Sequence, residues 1–341
     1  MPEPRSILIV KLGAVGDCIH TLVAAHAIRR AWPGITLGWI VEGKSKEVVL
    51  GHPDLDHVHV WNRRQSAANL RAGRPWQAWA ETRRVIEEMR EVGYEVAVDF
   101  QNLFKSGFFA WQSAARRRLS YERLREGNFL FMNDWQRVSR GGHMVARYLK
   151  LLEPLGLSVE DRPPAVPIFV PEDKKKAADD FFAQRVPPAA KVVAINPAAS
   201  LPIKFWPAER YAEAADRLAR ELGLLPMIIW GPGEEALADR VLRNMKTPGM
   251  LAPPTTLKEL AHLLSRCAMY VGNDSGPMHL AAAMGIAVVG LFGPSDPRRV
   301  GPWTARASAV EPPRPFSKTR RMEEIAVEQV VRAAAELSES R

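Results

Sequence analysis

The chain is 341 residues long, 47% hydrophobic and 25% charged, with a net charge of +9, the profile of a soluble globular protein large enough for two domains of ordinary size. Its two cysteines, Cys18 and Cys267, lie far apart without metal-ligand spacing, which excludes a disulfide framework and a zinc site and leaves two small buried hydrophobes in a reducing compartment. Residues 61–150 hold 17 Lys and Arg against 9 Asp and Glu, while the rest of the chain holds 30 against 29, so the positive field is local and points to an acidic partner.

In chain order, Ile7-Leu8-Ile9-Val10 reads as a strand leading into the loop Gly13-Ala14-Val15-Gly16-Asp17 and a helix through Ala31. A strand over 36–41, a helix near 46–50 and a short strand over 57–61 follow, then an amphipathic helix over about 79–92. Residues 96–99 read as a strand and 105–115 as a helix. Pro154, Pro163, Pro164, Pro167 and Pro171 crowd one stretch, the pattern of an inter-domain connection.

The second half repeats the theme. A strand over 192–196 precedes a helix over 207–222 with Pro207 in its first turn. A strand over 226–230 ends in Gly231-Pro232-Gly233, and a helix continues over 234–245. Thr256 caps a helix over 257–266, with Glu259 at the capping-box position. A strand over 269–272 opens into Asn273-Asp274-Ser275-Gly276-Pro277-Met278-His279, a second strand runs over 287–291, and a terminal helix over about 323–337. The apolar run 280–291 is broken by glycine and too short to span a bilayer. The opening Met1-Pro2-Glu3-Pro4-Arg5-Ser6 has no signal-peptide layout, so a cytoplasmic protein is expected. Strands alternating with helices predict an α/β architecture of two doubly wound, Rossmann-like sheets facing a central cleft.

Two loops carry the chemistry. Each lies where an apolar strand gives way to a helix, so each offers backbone N–H groups and a helix N-terminus to an anion. In the first, Gly13 and Gly16 let a substrate approach the backbone. Asp17 is placed either as a general base for a hydroxyl or as a helix cap. The loop matches neither the dinucleotide fingerprint nor the P-loop pattern, which disfavours a nicotinamide dehydrogenase and a P-loop NTPase. In the second half, Lys204 before Phe205-Trp206-Pro207 is placed to stabilise charge on a departing phosphate. Ser275, Gly276, Met278 and His279 offer donors, and Asp274 orients the loop or a hydroxyl, since it would repel phosphate. Glu234 and Glu235 are placed either for ribose hydroxyls or as favourable charges at a helix N-terminus.

The ordered set Val10-Lys11 with Gly16-Asp17, Lys204-x-Trp206-Pro207, Trp230-Gly231 with Glu234-Glu235, Asp274-Ser275-Gly276-x-x-His279-Leu280 and Gly293-Pro294-Ser295-Asp296-Pro297 resembles the ADP-heptose:lipopolysaccharide heptosyltransferases, glycosyltransferase family nine. The resemblance covers nearly the whole chain. It implies a GT-B fold: an acceptor-binding domain over 1–160, a linker over 161–172, a nucleotide-sugar-binding domain over 173–320 and a C-terminal helix over 321–341. It implies Asp17 as catalytic base and Lys204 at the donor diphosphate. The loop from Asp274 to His279 would then bind phosphate, Glu234 or Glu235 the ribose, and the 197–203 segment with Ser200 would lie along the donor. Ala198 and Ala199 depart from the hydroxyl-rich form of that segment.

The mechanism implied is one inverting displacement with ADP-heptose as substrate and neither cofactor nor metal; no Asp-x-Asp cluster is present. The basic quarter would meet the phosphates and acidic sugars of a lipid-linked core acceptor at the inner face of the membrane. Gly16, Arg63, Arg64, Gln101 and Lys105 are the acceptor-side candidates, and Trp61, Trp76 and Trp79 read as core or as docking aids. The rivals are a nucleotide-sugar epimerase of the same two-domain type, a transferase to another glycan or a protein, and a nucleic-acid-binding protein. The last rests on charge alone and lacks any supporting motif.

Overall fold

The computed structural model describes residues 3–122, 126–139, 141–157, 163–314 and 316–339. The chain divides into two units, Met1–Pro163 and Pro164–Arg341. The expected domain edge at 160 and 161, and the last two residues of the expected terminal helix, lie outside the described residues.

The first unit contains β1 (Ser6–Val10), β2 (Thr36–Glu42), β3 (His57–Trp61), β4 (Val96–Asp99), β5 (Arg117–Tyr121) and β6 (Asp134–Gln136). They form one parallel sheet in the order β3-β2-β1-β4-β5-β6. Ile9 pairs with Trp39 on one side and Val98 on the other. Every residue of β1 is buried, as a strand covered on both faces requires. The helix Pro75–Val92 presents Ala78, Val85, Ile86 and Met89 to this sheet and stops at Gly93, whose φ of 70° suits glycine. It begins earlier than its apolar spacing predicts, because Pro75 occupies its first turn.

In this unit two strands and two α-helices have no sequence counterpart above: β5, β6 and the helices Arg63–Arg71 and Met144–Lys150. Their composition explains why. β5 and β6 are short and polar, joined across the ladder by Arg117 Nε and Asp134 Oδ2 at 2.6 Å, and the helix Arg63–Arg71 buries only Ser66. The helix expected near 46–50 is a tighter 3-10 turn over Gly43–Val48.

The second unit contains β7 (Lys191–Asn196), β8 (Leu224–Ile228), β9 (Met250–Leu251), β10 (Met269–Asn273), β11 (Ala287–Leu291) and β12 (Ala307–Val310). Its parallel sheet runs β12-β11-β10-β7-β8-β9, so each unit has the same doubly wound order. In each, strand order reverses once: between β1 and β4, and between β7 and β10. Ligands of such sheets lie outside the strand C-termini at that reversal.

The helix Ala208–Leu222 buries Tyr211, Ala212, Ala215 and Leu218 against this sheet. Pro207 is its N-cap, with φ −55° and ψ 136°, rather than a first-turn residue. Trp206 fixes that start by donating from Nε1 to Ile325 O at 3.1 Å and standing edge-on to Tyr211. The capping box at Thr256 and Glu259 forms as expected. The terminal helix Val327–Glu339 packs Val330, Val331 and Ala334 into the same core. Among the described residues no helix is long and apolar enough to cross a membrane.

Candidate active site

At the first unit's reversal, the chain leaves β1 and enters the helix Val15–Ala31 with Ala14 as N-cap. Asp17 lies in the first turn of this helix, whose N-cap makes no side-chain capping bond. Asp17 Oδ2 stands 3.4 Å from Lys11 Nζ, with the lysine side chain 4% exposed and the aspartate 42%. Lys11 Nζ also donates to Tyr148 OH at 3.0 Å and Phe100 O at 3.4 Å. Burial works against the lysine's charge, but the Tyr148 and Asp17 oxygens outweigh it and raise its pKa. Gly16 is buried at the start of the same helix.

The β4 end supplies the opposite wall. Asp99 is buried and accepts from Gln101 N at 2.8 Å, Asn102 N at 3.0 Å, Ser106 Oγ at 2.8 Å and Asn128 Nδ2 at 3.1 Å. Burial pushes its carboxyl up to about 6 against the Asn102, Ser106 and Gln101 donors and the Lys11 charge. The loop it shapes sends Gln101 Oε1 to accept from Leu12 N at 3.2 Å and Gly13 N at 3.4 Å. Gln101 therefore ties the two loops of the reversal together.

Lys105 follows on the helix Phe104–Gln112, and its Nζ donates to Glu42 Oε1 at 2.5 Å. Glu42 ends β2, is buried, and draws two more cations: Lys44 Nζ at 3.7 Å and Arg63 Nη1 at 3.8 Å. Above it opens a pocket of about 630 Å³ walled by Lys44, Arg63, Arg64 and Arg71. Lys44 also lies along the first glycine loop: a Cβ on Gly13 would come within 3.2 Å of both Lys44 Cε and Ser45 Oγ. Arg63, Arg64 and Lys105 thus gather near one buried carboxylate, a cationic wall with a fixed floor.

At the second unit's reversal, Ser275 is the N-cap of the helix Gly276–Ala283. A helix leaves the amides of its cap and first turn unbonded. Pro277 has none to give, so Ser275, Gly276 and Met278 supply them, while the His279 N–H turns back into the helix. His279 meets the loop with its imidazole, whose Nε2 stands 3.6 Å from Asp274 Oδ1. The Met278 side chain is buried, and its Sδ would be 2.8 Å from a Cβ placed on Gly290, so its thioether belongs to the core.

Asp274 Oδ2 pairs with Lys204 Nζ at 2.6 Å, and Oδ1 lies 3.6 Å from His279 Nε2. Burial alone would raise the Asp274 carboxyl, yet His279 and then Lys204 reverse this and hold it well below the usual range. The supporting loops are latched. Asn196 Nδ2 donates to Ser275 Oγ at 3.2 Å, Asn273 Nδ2 to Pro197 O at 2.9 Å, and Tyr211 OH to Asn273 Oδ1 at 2.8 Å.

The remaining donor-side candidates separate. Glu234 Oε2 accepts from Gly231 N at 2.9 Å and closes the turn after β8. Its charge also acts on the buried Tyr270 phenol beside Ser275 and Asn196, whereas Glu235 is exposed at the first turn of the helix Glu235–Asn244. Ser200 is exposed, and among the described residues it makes no hydrogen bond to Lys204, Asp274 or His279. Sequence reasoning missed Glu42, Lys44, Asp99 and Tyr148. Only Asp99 carried a signal, as a carboxylate ending an apolar strand.

Residues 82–328 match the family model of glycosyltransferase family 9 (heptosyltransferase). The chain is 29% identical to lipopolysaccharide heptosyltransferase 1 of Pseudomonas aeruginosa, over 86% of this chain and 80% of that protein. A crystal structure of a family 9 glycosyl transferase from Veillonella parvula superposes with a TM-score of 0.87 at 25% identity, covering 99% of this chain and 98% of the other. The E. coli heptosyltransferase WaaC with ADP shares the fold, with a TM-score of 0.80 at 24% identity over 97% of this chain and 99% of its own. Two doubly wound sheets, each with its loops gathered at the strand reversal, make this a GT-B protein, and the chain belongs to glycosyltransferase family 9, the heptosyltransferases.

Proposed function

We propose that the protein transfers a heptose from ADP-heptose to the inner core of a lipopolysaccharide precursor, onto Kdo or the first heptose. The observation that carries this reading is the Lys204–Asp274–His279 cluster beside the amides of Ser275, Gly276 and Met278. A cation held at a helix N-terminus suits a diphosphate that gains charge as it departs. The Pseudomonas aeruginosa relative is named a lipopolysaccharide heptosyltransferase, and the E. coli heptosyltransferase was solved with ADP.

The reaction is a single inverting displacement. Asp17 takes the proton of the acceptor hydroxyl while that oxygen forms its bond to the anomeric carbon. The bond from that carbon to the diphosphate oxygen breaks on the opposite face, and ADP leaves with the electron pair. Lys204 and the three amides meet the charge, so no metal is required. Asp274 holds Lys204 in place and does not touch phosphate. Glu234, turned toward the Tyr270 side of the site, is the better of the two glutamates for ribose. On the acceptor side, Arg63, Arg64 and Lys105 bind the acidic sugars and phosphates of a lipid-linked acceptor at the inner face of the membrane.

The deciding assay follows ADP release from ADP-heptose with and without a Kdo-bearing lipid A acceptor, in the presence of a chelator. Acceptor-dependent ADP release with inverted stereochemistry at the new bond supports the reading. Conversion of ADP-heptose without acceptor, as an epimerase would give, or loss of transfer in the chelator, overturns it.

A further inference from the structure

The helix Phe104–Gln112 buries Phe109 and Ala110 in the first unit's core. Its other side turns aromatic rings outward. Phe131, which follows the 3-10 turn Asn128–Leu130, has ring centroids 5.0 Å from Phe104, 6.0 Å from Trp111 and 6.3 Å from Phe108. Leu130 joins them, since a Cβ on Gly127 would meet Phe104 at 3.7 Å and Leu130 at 3.8 Å. This is one continuous apolar cluster, yet Phe104 is 48% exposed, Trp111 49% and Leu130 66%. Scattered exposed hydrophobics need no explanation, but a packed group of this kind marks a contact surface.

The rim decides what the surface contacts. Arg118 donates from Nε to Phe131 O at 2.6 Å and from Nη1 to Ala115 O at 2.8 Å. Arg90 donates to Gln112 O at 2.8 Å and Gln112 Oε1 at 2.7 Å. Arg116 is exposed one residue past Ala115. Among the described residues none of the three has a carboxylate partner, whereas Arg83 and Arg84 pair with Glu87 and Glu88. Positive charge is thus left uncompensated around the rings.

We infer that this face seats the protein on an anionic lipid bilayer, with Trp111, Phe104 and Leu130 entering the headgroup boundary and Arg90, Arg116 and Arg118 meeting lipid phosphates. Aromatic rings and aliphatic tips beside unpaired arginines are the composition that binds such an interface. A second copy of the chain docking face to face would oppose the same arginines and repel. The inference deepens the proposed function, because Lys105 on the same helix would then be held near the lipid surface that carries its acceptor.

The test measures partition onto vesicles of phosphatidylcholine alone and of phosphatidylcholine with phosphatidylglycerol, with no sugar donor or acceptor present. Failure here is therefore distinct from failure of the transfer assay. Wild type should prefer the anionic vesicles by about tenfold or more, and Trp111→Ser with Leu130→Ser should weaken binding by about tenfold. Arg116→Glu, whose side chain makes no hydrogen bond within the protein among the described residues, should weaken it by about fivefold or more without touching the ring packing. All variants should retain wild-type transfer to a soluble acceptor lacking acyl chains. Equal partition of wild type and both variants, no binding of wild type to anionic vesicles, or a wild-type dimer in solution that Trp111→Ser with Leu130→Ser dissociates would each overturn the inference.

Discussion

The ammonium of Lys11, buried behind β1, lies 3.4 Å from the half-exposed carboxylate of Asp17. A fixed cation inside and solvent outside leave Asp17 one face with which to meet an acceptor hydroxyl. If Asp17 is the base, Asp17→Asn should lower kcat by about 10²- to 10⁴-fold, the range general-base groups contribute. ADP-heptose binding, read by calorimetry, should survive. Lys11→Met should lower kcat less, and also lower the melting temperature by stripping Tyr148 of its partner. Near-normal kcat in Asp17→Asn would remove the base assignment.

Glu42 gathers Lys105, Lys44 and Arg63 from three separate elements. Glu42→Gln keeps the shape and deletes the charge that holds them together. The KM for an anionic acceptor should rise several-fold with kcat little changed, because a positional loss on the acceptor side weakens ground and transition states alike. Glu42→Asp should recover part of the loss. An unchanged acceptor KM in Glu42→Gln would mean the three cations do not act through it.

How much of this was legible depends on whether a feature is local. β1 and its glycine loop are plain in sequence, because four consecutive buried apolar residues lead through a short loop into a helix with Asp17 in its first turn. The loop at Asp274 is equally plain. Glu42 is not: Lys105 lies 63 residues away from it in sequence, and only folding makes them neighbours. β5 is hidden because it opens on two arginines, and the edge strand β6, Asp134–Gln136, because three residues carry no apolar alternation.

Lys204 and Asp274 form a pair that must loosen for Lys204 to follow the departing phosphate. Lys204→Met should reduce kcat by about 10²- to 10³-fold, as removal of a transition-state donor does. Asp274→Asn frees the lysine but loses its aim, so it should reduce kcat by less. The double variant should be no worse than Lys204→Met by itself, since Asp274 acts through that lysine. Additive losses would show that Asp274 touches substrate independently.

Asp99 gives a pH-dependent stability with a definite sign. Its carboxyl is raised from 3.8 to about 6 by burial, despite its backbone and Ser106 donors. Between those values the folded protein holds a proton that the unfolded chain has released. The stabilisation is therefore fully present below about pH 4 and lost as pH rises through about 6, a change of about 3 kcal/mol. Asp99→Asn mimics the protonated form and has no such dependence. In urea unfolding, the variant should fall short of wild type at pH 4.5, through its imperfect hydrogen bonds to Ser106 and Asn128. That shortfall should narrow by pH 7.5, where the wild type must hold a buried carboxylate. A gap that is constant across this range, or that widens toward pH 7.5, would show that the four donors rather than burial govern Asp99.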